Sequence, residues 1–406
     1  MNRQQAADNG DNRHIGTSAD DARIGTSGSV AGRVAGDVTS GTGGADGTVV
    51  GDTVASGAAG GVGGAGMSMQ RAGTGPRRPT LESVAARAGV SRATVSRVVN
   101  GLPVTTASQE SVQRAIAELG YVPNHAARTL VTRRTDLIAL VLPEPTTRVF
   151  SDDPFFPGVI HGVSQELEAA DKQLVLLLAG SPASHARIER SIAAHHVDGV
   201  MLASLHGADP LPAALTRIGI PVVCNERSLG PTSVPYVGVD NVGGAAAAVR
   251  HLLAAGRTRI ATIAGPQDMI GGIDRLTGYR EALRGSSRRS IVAVGDFTLD
   301  SGAAAMRQLL DDDPGLDAVF VASDLMADGA LQALRQAGRR VPEDVAVIGF
   351  DDIALAAYTD PPLTTVRQPI TEIGRQMARQ LLCLVAGAPI EPTVVLPTEL
   401  IIRGSA

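Results

Sequence analysis

From Asp136 onward, short runs that are apolar at nearly every position alternate with stretches of helical period, and this alternation limits the possible folds more than any other feature. The runs read as strands cover residues 137–142, 174–178, 199–203, 221–224, 236–239, 259–264, 291–294, 318–322, 345–350 and 393–396. Helix candidates fall between them, as at 243–255 and 324–337. A strand that is apolar on both faces must be covered on both, and helices between successive strands make the sheets parallel. The expected body is therefore doubly wound α/β. At about 270 residues it is large enough for two subdomains with a cleft between them.

The chain has 406 residues, 44% of them hydrophobic and 19% charged, which suits a soluble multidomain protein. No apolar run approaches the ~20 residues of a membrane span, and no apolar leader precedes the first structured segment, so a cytoplasmic protein is expected. Cys224 and Cys383 stand in apolar stretches without metal-ligand spacing, which points to reduced core thiols and to no metal. No cofactor is expected either.

Residues 1–76 are Gly, Ala, Ser, Thr and Asp with few large apolar side chains, so they are read as a disordered low-complexity segment. Met67 and Met69 are alternative translation starts to Met1. The charge distribution says more than the total of −5. Residues 77–134 hold nine Arg against three Glu, a balance of +6, while residues 1–76 come to −2 and the rest to −9. A basic module beside an acidic body implies a polyanion partner for the module alone.

That module has a helical period. Leu81, Val84, Ala85 and Ala88 repeat at i, i+3, i+4, i+7, which buries one face of a first helix. Gly89 supplies the turn, Val90 fills the angle between helices, and Ser91 caps a second helix that turns Val95, Val98 and Val99 inward. A helix-turn-helix results. On its second helix Arg92, Ala93, Ser96 and Arg97 share the outer face, and Arg92 and Arg97 are the expected base readers, since Arg forms bidentate bonds to guanine O6 and N7. Thr80, Ser91, Thr94 and Asn100 complete the expected DNA-facing set.

The stretch Val-Ser-Arg-Ala-Thr-Val-Ser-Arg-Val-Val-Asn-Gly resembles the headpiece of the lactose-repressor family of bacterial regulators, and the likeness runs on through residues 112–130 and the body to about residue 400. Asn124 can cap a helix to about Leu130 that is too short to be stable alone. The resemblance implies that two such hinge helices pair on operator DNA and push Leu130, with Ala127 beside it, into the minor groove. The expected organisation is a disordered segment at 1–76, a three-helix headpiece at 77–122, a hinge helix and linker at 123–135, and a two-lobed ligand-binding and dimerisation domain at 136–406, like a periplasmic binding protein.

By the same resemblance the sugar-contacting positions fall on Asn225, Arg275, Phe297, Ser323 and Asp351, with Phe155 and Phe156 in a loop facing the cleft. The polar members follow apolar strands, where open parallel sheets bind ligands. Asn225 stands where the family often has Asp, and Ser323 where it often has Asn, so no relative's ligand transfers directly. With no Trp in the chain, stacking falls to Phe or Tyr.

Two rival classes fit the sequence less well. A free sugar-binding protein lacks the basic module. An enzyme gains some support from the Asp351-Asp352 carboxylates, but the eight His are scattered, His195-His196 has no third ligand, and no nucleophile elbow or phosphate loop occurs. The expected function is a non-enzymatic, ligand-responsive repressor that binds a pseudo-palindromic operator as a homodimer and is controlled by a carbohydrate effector. No Leu heptads trail the body to make a tetramer. Whether the effector releases or recruits DNA stays open.

Overall fold

The computed structural model describes residues 79–122, 134–151, 153–194, 196–284 and 289–406. The chain divides between Thr74 and Gly75, and all described residues belong to the second unit. The expected disordered segment, the hinge residues Asn124, Ala127 and Leu130, and His195 lie outside the described residues.

Three helices form the first body: α1 (Leu81–Ala88), α2 (Arg92–Val99) and α3 (Thr106–Leu119). Each begins at a hydroxyl cap, because Thr80, Ser91 and Thr105 accept from the backbone N–H of Ser83, Thr94 and Ser108. Gly89 and Gly120 end α1 and α3 at φ of 66° and 61°, a left-handed conformation that a side chain would strain. Val84, Ala85, Val95, Val112, Ala115 and Tyr121 make the core, with Val90, Val98 and Val99 packed against it. The helical period read from the sequence is the buried face.

The remaining chain builds two lobes, each a six-stranded sheet with helices on both faces. The N-lobe holds β1 (Leu137–Leu142), α4 (Thr146–Val149), α5 (Phe155–Ala169), β2 (Gln173–Leu178), α6 (Pro182–Ala193), β3 (Gly199–Leu202), α7 (Leu211–Arg217), β4 (Val222–Asn225) and β5 (Tyr236–Val239). The C-lobe holds α8 (Asn241–Ala254), β6 (Ile260–Ala264), α9 (Ile270–Leu283), β7 (Ile291–Val294), α10 (Leu299–Asp312), β8 (Ala318–Val321), α11 (Asp324–Gln336), β9 (Ala346–Asp351) and β10 (Thr364–Arg367). The chain then returns to the N-lobe for α12 (Ile370–Ala386) and β11 (Thr393–Leu396), and ends in the C-lobe with β12 (Glu399–Ile401). Strand orders are β11-β5-β4-β3-β1-β2 and β12-β10-β9-β8-β6-β7. The chain therefore crosses between lobes three times, at 240, at 368–369 and at 397–398.

All ten runs read as strands are strands, with ends displaced by no more than a residue. Two strands escaped the sequence reading. Thr-Thr-Val-Arg of β10 is polar at three of its four positions, and β12 is only three residues long. The expectation of wholly parallel sheets also needs correction, because β12 runs antiparallel to β10. The reason is topological: β10 ends at the crossing that leaves the C-lobe and β12 begins at the crossing that enters it, so the two must run in opposite directions.

Glycine sets the distance between packed helices. A Cβ on Gly162 of α5 would lie 2.0 Å from the Thr371 carbonyl oxygen, and one on Gly374 of α12 would lie 2.2 Å from that of Val159. The clash is with backbone on both sides, so the helix returning across the hinge can seat against α5 only where both residues lack a side chain. Among the described residues, no helix is long and apolar enough to cross a membrane. Gly162→Ala should destabilise the protein by about 1–3 kcal/mol through overpacking. Urea unfolding measures this, and an unchanged midpoint would show that the α5–α12 contact is slack.

Candidate ligand cleft and nucleic-acid interface

Between the lobes lies a cleft with about 860 Å³ of non-atom space, part of it open to solvent. Its walls are the segments that follow the C-terminal ends of strands in both sheets, the position where parallel α/β sheets bind ligands. Phe155, Phe156, Asn225, Arg275, Phe297, Ser323 and Asp351 all line it. The structure thus brings all seven sequence-named cleft residues together.

Arg275 of α9 organises the floor and is only 6% exposed. Its Nε donates to Asn241 Oδ1 at 2.8 Å, and its Nη1 donates to the Ala322 carbonyl at 2.6 Å and to Asp351 Oδ1 at 3.2 Å. The guanidinium lies 3.7 Å from the centroid of the Phe350 ring. Burial pulls its pKa below the usual arginine range, while Asp351 and Glu226 push the other way. Asp351 also accepts from Gln368 Nε2 at 2.6 Å. Its carboxyl is raised above the ordinary aspartate range, by burial first and against the attraction of Arg275.

The other named residues divide by role. Asn225 ends β4, and its amide donates to the Val237 carbonyl at 3.1 Å. Ser323 caps α11 by accepting from Met326 N. Phe297 has φ of 68°, and its ring sits with Arg148 and Arg275 guanidiniums 6.0 and 5.9 Å from the centroid. Phe155 and Phe156 pack edge to face at 5.5 Å, and Phe156 is buried in the N-lobe core as wall rather than surface.

Asp351 and Asp352 do not form a carboxylate pair. Asp352 turns away from the cleft and accepts from Arg367 Nε at 2.7 Å and Arg403 Nη2 at 2.6 Å. Sequence reasoning missed Asp153, Glu226, Arg227 and Gln368, which also line the cleft. Gln368 directly follows β10, a strand the sequence reading did not find. Glu226 has φ of 69°, which turns its side chain over Gly238 to accept from Asn241 Nδ2 at 3.0 Å and the Val239 amide at 3.4 Å. Position after a strand could have flagged it, but its orientation follows from the left-handed backbone.

On the three-helix body, Arg92, Ala93 and Arg97 are exposed along α2, and Thr80 and Ser91 are exposed at the starts of α1 and α2. The N–H groups at such helix starts suit a phosphate. Thr94, Ser96 and Asn100 are half-buried, and Asn100 donates to the Ser96 carbonyl at 2.8 Å, which closes the end of α2. Arg92 pairs with Glu82 at 3.1 Å, and Arg97 donates through Nε and Nη2 to the Pro103 carbonyl. Each guanidinium thus has an intramolecular partner.

Residues 80–124 match the model of bacterial regulatory proteins of the lacI family, and residues 249–406 match a periplasmic binding protein-like domain. The chain is 53% identical over 336 residues to the HTH-type transcriptional regulator CelR of Thermobifida fusca, covering 81% of this chain and 98% of the relative. A solved CelR–cellobiose complex is similar at 50% identity and a TM-score of 0.65, covering 81% of this chain and all of that one. The lac repressor dimer bound to operator and an anti-inducer is similar at 27% identity and a TM-score of 0.71, covering 81% and 99%.

Burial lifts Glu226 from 4.5 to about 7, against the pull of Arg275. A raised carboxyl disfavours the ionised folded form, so the penalty is absent below the unfolded value, grows as pH rises towards the folded value and is complete above it. Glu226→Gln should therefore raise the Tm near pH 8 and leave it nearly unchanged near pH 4.5. Scanning calorimetry reads both, and equal shifts at the two pH values would contradict the burial argument.

Proposed function

This chain belongs to the lacI family of bacterial regulatory proteins, and we propose that it is a transcriptional repressor that binds an inverted-repeat operator as a homodimer and responds to an uncharged saccharide. The observation that carries this reading is the convergence of Arg275, Asp351, Asn225, Ser323 and Phe297 on one interlobe cleft, in a chain that also bears a helix-turn-helix.

The cleft's charge pattern favours a neutral ligand. Its guanidiniums are already engaged: Arg275 as described, Arg227 with Asp274, and Arg148 with the Asp296 carbonyl at 2.9 Å. Asp153, Glu226 and Asp351 face the same space as acceptors. A ligand that donates hydroxyl hydrogens fits these acceptors, whereas a phosphate or carboxylate would face three carboxyl groups with the guanidiniums already paired. Cellobiose, which the related CelR binds in its solved complex, is the first ligand to test.

Residues 77–122 act as the DNA-reading headpiece in this proposal, 123–135 as hinge and 136–406 as sensor, with Asn124, Ala127 and Leu130 acting on the minor groove. Arg92 and Arg97 read bases, with Ala93 between them on the exposed face. Exposed Leu355 and Tyr358, the latter 84% exposed, offer apolar surface on the C-lobe for a second copy. The work is done on DNA in the cytoplasm, and no catalytic step enters it. Ligand binding alters the lobe arrangement, and operator affinity changes by the free energy with which the ligand prefers one arrangement.

Selection from random duplex DNA by the purified protein, with and without cellobiose, tests the reading. It should enrich an inverted repeat whose affinity cellobiose shifts. Enrichment of nothing would leave a sugar-binding protein with no regulatory role. On the selected site Arg97→Ala should cost about 1–3 kcal/mol and on shuffled duplex far less, by fluorescence anisotropy; equal losses would remove Arg97 from base reading. Asp351→Asn should weaken cellobiose about tenfold or more in calorimetric titration, since it removes a charged acceptor. Unchanged affinity would exclude Asp351 from the contact.

A further inference from the structure

At the rim of the cleft, away from its floor, a histidine bridges the lobes. His206, in the loop after β3 of the N-lobe, places Nε2 3.1 Å from Glu144 Oε1 and Nδ1 2.9 Å from Asp268 Oδ2. Glu144 follows β1 in the same lobe and is 3% exposed, while Asp268 follows β6 in the C-lobe. The Glu144 carboxylate is fixed by the Ser204 hydroxyl, which donates to it at 2.5 Å, and Arg148 reaches it from α4 at 3.5 Å. Beside the ring, the Gly207 amide donates across the cleft to the Asp268 backbone carbonyl at 2.7 Å. Two other N-lobe side chains, Arg148 and Arg227, reach C-lobe acceptors on the same rim.

Carboxylate oxygens only accept, and His206 faces one with each ring nitrogen. A neutral imidazole has a single N–H, so one of the two carboxylates would meet a lone pair. Only the doubly protonated ring satisfies both. We infer that His206, carried as an imidazolium between Glu144 and Asp268, is a positioning residue that latches the two lobes closed, and that closure depends on its proton.

The electrostatics agree in sign. Glu144 first and Asp268 second raise the ring from 6.5 to about 9, against the opposing effect of burial. Glu144 belongs to the same lobe as His206, so its contribution does not require the second lobe. Asp268 is gained only on closure, so closing the cleft favours proton uptake. The latch is present at neutral pH and is lost as pH rises through about 9. The groups facing the ring are Glu144 and Asp268, with Arg148 acting on it through Glu144.

The Gly207 amide is a built-in reporter, because its acceptor is the Asp268 backbone, which no side-chain substitution removes. Millisecond hydrogen exchange on the full-length protein in buffer, corrected for intrinsic rates, should find this amide protected at pH 7. His206→Ala and Asp268→Ala should each lower that protection about tenfold or more, with the β1 and β8 amides unaffected. Wild type at pH 10 should match His206→Ala, and His206→Ala should no longer depend on pH. An unprotected Gly207 in wild type, protection that survives both substitutions, or equal wild-type protection at pH 7 and pH 10 would overturn the latch. None of these readouts depends on which sugar binds.

Discussion

The guanidinium of Arg275 is the constraint around which the cleft is arranged. A buried cation is tolerated only where its donors meet acceptors, and removing one partner leaves the charge uncompensated. Here the acceptors come from separate places: Asn241 at the start of α8, Ala322 after β8 and Asp351 at the end of β9. Asn241 lies just past the first crossing between lobes, and Gln368, which holds Asp351, lies within the second. Asn241 in turn donates to Glu226 of the N-lobe. One hydrogen-bonded chain therefore runs from the N-lobe wall through the ligand floor to two hinge segments. A change in lobe angle must rearrange it, and in the proposed function a ligand hydroxyl that competes for Glu226 or Asp351 would act on these hinge segments.

The three-helix body has a different economy. Its core is a handful of Val and Ala residues with Tyr121, so hydroxyl caps and left-handed glycines contribute to its order. Its exposed arginines are tethered by Glu82 and Pro103 in a way that fixes their starting geometry. The Arg92–Glu82 pair is an exposed ion pair and therefore weak, while Arg97 is held by a backbone carbonyl. The balance of +6 confined to residues 77–134 makes this the part of the chain that responds to phosphate charge and to salt.

Much of this was legible in the sequence. The strands were readable because Leu137 to Leu142 or Ala318 to Val321 are apolar throughout, as burial on both faces requires. β10 was not, because Thr364 and Thr365 are fully buried polar residues whose hydroxyls serve Arg403 and Asp324, and nothing local separates such a strand from a turn. Residues of the cleft were found where a motif followed a strand. Glu226 was missed because a positive φ, not strand alternation, decides where it points. The His206–Asp268 contact joins residues 62 positions apart on different lobes, and only the closed arrangement of the two sheets brings them together.

The central claim is that sugar and operator act on one lobe equilibrium, and linkage then requires that each change the other's affinity by the same factor. Calorimetric titration of cellobiose into the protein, alone and saturated with the selected operator duplex, tests this most directly. The account predicts two different sugar affinities whose ratio equals the shift that cellobiose causes in operator binding, about 5- to 150-fold for a coupling of ordinary size. Identical sugar affinity with and without DNA would contradict it.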